Sequence, residues 1–424
     1  MQAIVPFQIF FVQKPVTGLV RMIDHSVFRQ EDGVMQARGL LPLSIALLMF
    51  PQIAQTLFSP ALADFSRAFS VPPEAASQAL AVYFVAFAFG VLVWGRACDR
   101  IGRKLAMLGG LFVYAIACCA AFVVTTFDGL LVSQAAAAFG AAVGSVVTQT
   151  VLRDRYAGAE LARIFSMAGM VLSAGPAIGL FAGAALVRSF GYEGVVAALF
   201  VLSCVLIVWT VTALPETRPP RRTTEPLSAT LNLMLRDPLI WRAALLVAVF
   251  NVALYSYYDL GPFVFQRLHL GTEMYGYSGA LLALGSALGA WINRHRLKAG
   301  SQAESMLRMA SVLMLGSALG VAVLQDSAWF LAPMLLVVVA FGVAIPNVLG
   351  HALVAYKDRL GSAGALFGLM YYLAIGVGMM LAASTQALGG MLIVCGVIAT
   401  ILCLFGVGAG REPRQHNTHS VGKS

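Results

Sequence analysis

Long apolar runs separated by short polar segments dominate the pattern of the 424-residue chain. Twelve of these runs reach about 20 residues, the length with which an α-helix crosses roughly 30 Å of hydrocarbon. They lack an alternation of period two and are rich in leucine, alanine, valine and glycine, which favours helices over barrel strands. The predicted spans, numbered 1 to 12, cover residues 40–61, 77–97, 105–126, 129–151, 165–187, 194–214, 242–265, 274–292, 304–325, 329–350, 362–384 and 388–409.

The longest polar interruption follows span 6 and divides the spans into two groups of six. Its last part, "MLRDPLIW", is predicted to form a short interfacial helix that leads into span 7. The segment before span 1 lacks the basic start of a signal peptide, so we expect a poorly ordered extension, with a start at Met35 as the alternative. The predicted organisation is a cytoplasmic extension over 1–38, a six-helix bundle over 39–214, a cytoplasmic central loop over 215–241, a second bundle over 242–409 and a cytoplasmic tail over 410–424.

Composition and the placement of charge support a membrane protein. The chain is 59% hydrophobic and 11% charged, whereas soluble domains carry about 25% charged residues. Lysine and arginine are divided 25 to 3 between alternate loops, and the minority side holds only Arg67, Arg188 and Arg267. The positive-inside rule therefore predicts that both termini are cytoplasmic. The net charge of +9 then reflects topology, and no nucleic-acid partner is expected.

The decapeptide "GRACDRIGRK" between spans 2 and 3 interrupts a long apolar region with an aspartate and four basic residues. Its glycines permit close approach at a helix end and a tight turn between antiparallel helices. The aspartate can accept hydrogen bonds from arginine side chains or from the free amides of a helix N-terminus. A hairpin whose positive charges only set orientation is the alternative. The candidate gating residues are Gly95, Asp99, Arg100, Gly102, Arg103 and Lys104.

A shorter version of this pattern follows span 8. Gly289, Asn293 and Arg294 repeat its glycine, acidic and arginine positions at a constant offset of 194 residues, with an amide in place of the acid. Equivalent loops on the same side of a membrane indicate a parallel repeat of two halves. We therefore predict a second gating element in the second half.

The decapeptide matches the G-x-x-x-D-R-x-G-R-R/K signature of the major facilitator superfamily, which this chain resembles. The resemblance implies an all-α membrane fold of 12 transmembrane helices in two pseudo-symmetric six-helix bundles. It also implies a clasp, in which the aspartate and arginines bridge to the other half and hold the cytoplasmic side shut when the substrate cavity faces outward. In span 5, Gly175, Pro176 and Gly179 are similar to the antiporter motif of the drug-efflux branch, although glycines at this spacing also serve helix packing alone. The stretches "LRDRY", "LPET", "GPFVFQ" and "IPNVLGHAL" resemble the Bcr/CflA-type group of bacterial exporters.

The chain departs from that family at its usual charged positions. Thr56 stands where many relatives carry an aspartate, and Gln134 and Gln149 stand where they carry arginines. The carboxylate that remains within a span is Asp259, which forms a polar stripe on span 7 with Asn251 and Tyr255 at intervals of four. A carboxylate in hydrocarbon is costly and should face a cavity or another helix. Hydration at the membrane interface is the alternative.

Uncharged polar residues within other spans are further candidates for a substrate or proton pathway. Interhelical hydrogen bonding is the alternative role for each of them. Together they resemble the lining of the central cavity of the family. These candidates are Gln52 and Gln55 on span 1, Gln134 on span 4 and Asn347 on span 10.

The predicted function is secondary active export of a small organic molecule, such as a drug, siderophore or metabolite, by alternating access. The resemblance implies a monomer in the bacterial inner membrane that exchanges its substrate for protons. A proton-independent facilitator is the alternative, because the usual charges are absent. A non-transporting receptor is a remote third. The chain carries no phosphate loop, metal-ligand spacing or nucleophile constellation, so no enzymatic activity, metal or cofactor is expected beyond the proton gradient as energy source.

Overall fold

The computed structural model describes residues 26–172, 174–218 and 227–405, and every regular element within these ranges is helical. The α-helices are α1 Ser26–Phe58, α2 Leu62–Ala68, α3 Pro73–Ile101, α4 Arg103–Val123, α5 Phe127–Arg155, α6 Gly158–Leu172, α7 Gly175–Ala213, α8 Leu227–Leu235, α9 Pro238–Arg267, α10 Thr272–Lys298, α11 Ala303–Leu324, α12 Leu331–Ala352, α13 Leu360–Thr385 and α14 Leu388–Phe405. Three short 3₁₀ segments are η1 Ser59–Ala61, η2 Ala328–Phe330 and η3 Val354–Arg359.

The prediction of an all-helical membrane fold is confirmed. Within the described ranges, nine helical segments are long and apolar enough to cross a membrane. The nine include α7, whose 39 residues hold span 6 and part of span 5, and in which Gly191 leaves the helical conformation (φ 65°, ψ −164°). They do not include α10, which carries charged residues in both end turns, or the 18-residue α14. Twelve crossings therefore remain a prediction.

Three boundaries differ from the prediction. Span 5 is interrupted, since α6 ends at Leu172 and α7 begins at Gly175. The reason is Pro176, which lacks an amide donor and is best accommodated in the first turn of a new helix. Helix α1 begins at Ser26, upstream of the predicted start of span 1 at residue 40, and the expectation of a poorly ordered extension remains a prediction. The short helix of the central loop, α8, ends at Leu235, upstream of its predicted position. Residues 1–25 and the predicted tail lie outside the described ranges.

The two halves repeat the same packing arrangement. In the first half, α3 and α4 both pack on α5, and α1 packs on α7. In the second half, α10 and α11 both pack on α12, and α9 packs on α13. The halves meet along two helix pairs, α3 with α13 and α7 with α10. This correspondence supports the parallel repeat that the offset of 194 residues predicts.

Glycines bring the closest helix pairs together. A Cβ at Gly289 of α10 would lie 3.0 Å from the Cα of Gly342 on α12. A Cβ at Gly279 would lie 2.9 Å from the carbonyl oxygen of Pro176, across the interface between the halves. Both distances are too short for a side chain, so these glycines permit backbone contact where the hydrophobic effect offers no driving force.

Gly289→Val tests the packing of α10 against α12. The added side chain should overpack this contact and destabilise the protein by about 1–3 kcal/mol. The melting temperature in detergent should fall by several degrees. Gly316→Val is the matched control, because no heavy atom lies within 4 Å of a Cβ at Gly316 in the described structure. Equal melting temperatures for the two variants would contradict this account.

Candidate functional site

The helices run between two ends of the bundle, which we name after one residue each. The Asp99 end contains the connections at 102, 156–157, 214–218, 299–302 and 353–359. The Ser59 end contains the connections at 59–72, 124–126, 268–271, 325–330 and 386–387. Three features lie along this axis, namely a charged network at the first end, a hydroxyl network at the second and an aromatic cluster between them.

The charged network at the Asp99 end surrounds a buried arginine. The side chain of Arg103, at the start of α4, is 1% exposed. Its Nε donates to Asp154 Oδ2 (2.8 Å), its Nη1 donates to the carbonyl of Cys98 (3.1 Å), and its Nη2 lies 3.3 Å from Asp99 Oδ1. Two carboxylates thus compensate a guanidinium that would otherwise be buried alone at high cost.

Glu216 joins this network from the segment that follows α7. Its carboxylate accepts the backbone N–H groups of Arg103 (2.9 Å), Lys104 (3.2 Å) and Arg218 (2.9 Å). It therefore caps the N-terminus of α4, where four amides lack intrahelical partners. Burial by itself raises the pKa of Glu216, but the backbone hydrogen bonds outweigh this effect and hold the pKa below its usual value.

Glycines and backbone groups complete the predicted gating residues. Gly102 adopts φ 99°, and a Cβ there would lie 2.9 Å from Glu216 Cδ, so both the turn and the bound carboxylate require glycine. The carbonyl of Arg100 accepts from Arg218 Nη1 (2.7 Å). A Cβ at Gly95 would lie 3.4 Å from Val146 Cγ2 of the first half and 4.0 Å from Ala365 Cβ of the second.

Among the described side chains, Asp99 and Arg103 form no ion pair with the other half, and the bridge expected for an outward-facing cavity remains a prediction. The ion-pair partner of Asp99 among the described side chains is Arg103, four residues away in the same half. The partners of Arg103 come from "LRDRY" (Asp154) and from its own hairpin, and "LPET" supplies Glu216. The motifs "GRACDRIGRK", "LRDRY" and "LPET", which are far apart in the sequence, therefore form one network within the first half. The physical reason is local, because a buried arginine takes the nearest carboxylates.

The predicted second gating element, at Gly289, Asn293 and Arg294, is held by hydrogen bonds between amide side chains and not by charged groups. Asn293 of α10 is buried, and its Oδ1 accepts from Asn347 Nδ2 of α12 (2.6 Å). The same Nδ2 donates to the carbonyl of Val343 (2.8 Å). Asn347, predicted as a pathway residue, is thus used in an interhelical hydrogen bond beside the close contact at Gly289. The side chain of Arg294 is exposed.

The predicted antiporter motif packs α7 against α1. A Cβ at Gly175 would lie 3.2 Å from Gln52 Cδ, and one at Gly179 would overlap Thr56. Thr56 is fully buried, and its hydroxyl donates to the carbonyl of Gln52 (2.8 Å). Position 56, where the resemblance implies an acid, is therefore filled here by a small side chain in close helix contact.

Asp259 lies near the Ser59 end and is fully buried. Neither carboxylate oxygen of Asp259 has a hydrogen-bond partner among the described residues. No lysine, arginine or histidine among those residues forms an ion pair with Asp259. Ser77 of α3 lies beside the carboxylate but forms no well-aligned hydrogen bond with it. The alternative of a hydrated interface position is therefore not what the structure shows. Burial without a counter-ion disfavours the charged form of this carboxyl group.

Hydrogen bonds between the halves close the Ser59 end around Asp259. Ser59 of η1 donates to the carbonyl of Tyr258 on α9 and shares a hydrogen bond with the Tyr275 hydroxyl on α10 (2.6 Å). Gln386 Nε2, at the end of α13, donates to the Ser77 hydroxyl (3.0 Å). We call these four side chains and the Tyr258 carbonyl the Ser59 latch. It joins first-half and second-half helices at two points.

An aromatic cluster occupies the middle of the bundle, where the halves meet. Its rings come from α3, α9 and α13. The ring centroids of Phe84 and Tyr255 are 4.5 Å apart, those of Phe87 and Tyr372 are 4.9 Å apart, and the hydroxyl of Tyr83 donates to the carbonyl of Pro51 on α1 (3.1 Å). The cluster, named here the tyrosine wall, comprises Tyr83, Phe84, Phe87, Tyr255, Tyr258, Tyr371 and Tyr372.

The remaining predicted pathway residues divide into two groups. Gln52, Asn251 and Tyr255 are half-buried, which suits residues that border an accessible space. Gln55 is buried, and Gln134 faces a small crevice inside the first half, beside Tyr114. The structure therefore brings Tyr255 and Asp259 together along one face of α9, but it does not bring Gln134 or Asn347 to them.

Sequence reasoning missed the partners of these residues on other helices. Ser77 and Gln386 carry no local signal, because they are single polar residues near helix ends. The pair Tyr371 and Tyr372 was a usable signal, since two adjacent tyrosines within a predicted span place a hydroxyl in hydrocarbon unless it finds a partner or a cavity.

Comparison with known proteins gives one family and several similar chains. The sequence profile of the Major Facilitator Superfamily matches residues 45–379. A protein of Rickettsia bellii described as an uncharacterized transporter is 26% identical over 78% of this chain and 86% of its own length. A bicyclomycin resistance protein homolog of Haemophilus influenzae is 24% identical over 78% of this chain and 84% of its own length. The crystal structure of a D-xylose-proton symporter superposes with a TM-score of 0.73 at 12% identity, covering 88% of this chain and 97% of the symporter.

Glu216→Ala tests the cap on α4. Loss of the capping carboxylate should destabilise the protein by about 1 kcal/mol at neutral pH. Because its pKa is lowered on folding, the stabilisation from Glu216 is present above the ordinary glutamate pKa of about 4.3 and is lost as the pH falls through the folded value. The melting-temperature difference from wild type should therefore shrink between about pH 7 and pH 3.5. The exposed Glu193, changed to Ala, is the control. A difference that does not depend on pH would rule out the capping role.

Proposed function

The chain belongs to the Major Facilitator Superfamily, and from this we propose that it exports a small organic molecule from the cytoplasm by alternating access, in exchange for protons. The single observation that carries the proposal is the burial of Asp259 with no partner for its carboxylate in the described chain. A group that must be neutral to be buried, and that can ionise when hydrated, is suited to carrying a proton.

Orientation follows from the distribution of basic residues. The Asp99 end carries the excess of lysine and arginine and is assigned to the cytoplasm, with both chain termini. The Ser59 end then faces the outside of a bacterial inner membrane. The 39 residues of α7 extend about 58 Å at 1.5 Å per residue, roughly twice the hydrocarbon thickness. With the break at Gly191, α7 supplies two crossings, which supports a total of twelve.

The Ser59 latch couples protonation to the conformational change. When the outer end is open, Asp259 is hydrated and takes a proton from outside. The neutral group can then be buried as Ser59 and Ser77 meet their second-half partners, which is the arrangement seen here. Substrate entering from the cytoplasm displaces the proton inward, and the charged carboxylate disfavours the closed outer end. Protons thus enter as substrate leaves.

The tyrosine wall favours a substrate with an aromatic or other planar group. Its rings offer stacking area, and their hydroxyls offer hydrogen bonds without charge. Gln52 and Asn251 add amides at its margin. A neutral, zwitterionic or polar compound suits this lining better than a strongly cationic one. The similarity to a bicyclomycin resistance protein homolog supports export as the direction.

A proton-independent facilitator is the second candidate. The observation that favours it is the close contact of Thr56 with Gly179, which leaves no room for an acidic side chain at position 56. In this case Asp259 would stay neutral throughout the cycle, and substrate would move only down its own gradient.

Asp259→Asn separates the two candidates. In everted membrane vesicles with an acidic interior, a transported compound should dissipate the pH gradient through the wild-type protein. Candidate compounds are chloramphenicol-like drugs, siderophores and amino-acid metabolites. The variant keeps the shape of the side chain but cannot release a proton, so it should abolish this dissipation while downhill substrate flux continues.

The control for Asp259→Asn is Asp128→Asn, which removes an exposed carboxylate from the same end of the bundle. It should dissipate the gradient as the wild type does. Dissipation at the wild-type rate by Asp259→Asn would exclude proton carriage by this residue and favour the facilitator.

Tyr255→Ala tests the substrate side of the proposal. The Tyr255 ring, which packs beside Phe84 and Tyr258, would stack on an aromatic substrate, so its removal should raise KM about two- to tenfold, the range expected for an aromatic pair. Tyr255→Phe should retain most of the affinity. Phe112→Ala, which removes a ring that is 51% exposed on α4, should leave KM unchanged. An unchanged KM for Tyr255→Ala would remove the tyrosine wall from the substrate pathway.

A further inference from the structure

A groove on the second half shares no residue with the network, latch or wall described above. It has a volume of about 410 Å³ and lies between α10, α11 and α12. Its walls are apolar and include Ile292, Met309, Leu313 and Val343. The apolar groove alone would accept any hydrocarbon chain of the bilayer, so its selectivity must come from its rim.

The rim of the groove carries two groups that can bind an anion. His295 and Arg296 lie in the last turn of α10, which ends at Lys298. Trp291 is 62% exposed one turn earlier, and its ring stacks on His295 with centroids 5.5 Å apart. An exposed tryptophan followed by basic residues at a helix end is typical of the boundary between hydrocarbon and headgroups.

The positive charge at the rim is not neutralised within the described part of the chain. No carboxylate there lies within 4.0 Å of Arg296, and Glu304 at the start of α11 is paired with Arg242 of α9. The neighbouring Arg294 and Lys298 add charge of the same sign. An apolar groove ending in unpaired basic groups complements a ligand with a hydrocarbon chain and an anionic head.

We propose that this groove binds one anionic phospholipid, with an acyl chain along Ile292, Met309 and Leu313 and the phosphate at His295 and Arg296. Basic pockets between transmembrane helices on the cytoplasmic side bind such headgroups. The lipid bridges α10 and α11 in the groove beside α12, next to the Gly289 contact, and therefore stabilises the packing of the second half. Only its assignment to the cytoplasmic leaflet rests on the orientation proposed above.

The test is a lipid titration of the purified full-length protein in detergent, with melting temperature and native mass spectrometry as readouts. Phosphatidylglycerol should raise the melting temperature and remain bound, whereas phosphatidylcholine of the same chain length should do so far more weakly. Inorganic phosphate and glycerol 3-phosphate supply the head without the chain and should have little effect. Equal responses to the two lipids, or a full response to inorganic phosphate, would overturn the proposal.

Two variants test the head and the chain separately. Arg296→Gln should weaken apparent affinity for phosphatidylglycerol about fivefold, the effect expected of one basic residue near an anionic lipid. Arg308→Gln, which removes an exposed arginine of α11 outside the groove, should leave it unchanged. Leu313→Trp fills the groove and should abolish selective binding even if Arg296 is intact. Unchanged binding in both Arg296→Gln and Leu313→Trp would also overturn the proposal. Because no readout requires transport, failure here is distinct from failure of proton-coupled export.

Discussion

An uncompensated charge is costly in hydrocarbon, and this constraint bears on the two buried residues of charged type in the described chain, Arg103 and Asp259. Arg103 is buried at the Asp99 end only because Asp99 and Asp154 accompany it. Asp259 is buried at the opposite end with no such partner in the described structure. The first arrangement holds a charge in place, whereas the second is stable only while the group is neutral. The contrast makes Asp259 the natural point at which a proton could act on the conformation.

The two ends of the bundle use different chemistry. At the Asp99 end, carboxylates and an arginine tie α3, α4 and α5 to the segment after α7, all within one half. At the Ser59 end, hydroxyls and an amide join helices of opposite halves. Hydrogen bonds between neutral groups are individually modest, and water can replace them when the end opens. The Ser59 latch is therefore suited to repeated opening, and the charged network to keeping one half rigid.

The buried carboxylate of the described chain lies on α9, not on α1. On α1, close contact between Gly179 and Thr56 leaves no room for a larger side chain. Asp259 lies beside Ser77 of the first half. A proton carrier at this position touches both halves directly. The tyrosine wall extends from the same region towards the middle of the bundle, so proton and substrate would occupy adjacent parts of one interface.

The sequence by itself determined the all-helical membrane class, the repeat and the family, because hydropathy, basic-residue placement and a ten-residue motif are local properties. It also singled out Asp259, since one acid in an apolar run is visible without a structure. Only the tertiary structure decided that Asp259 is buried rather than hydrated and that Asn347 donates a hydrogen bond to Asn293. It brought three sequence motifs together around Arg103. It also located the break in span 5 and the tyrosine wall. These features depend on which helix faces join across tens or hundreds of residues, and periodicity along one helix does not specify its neighbour.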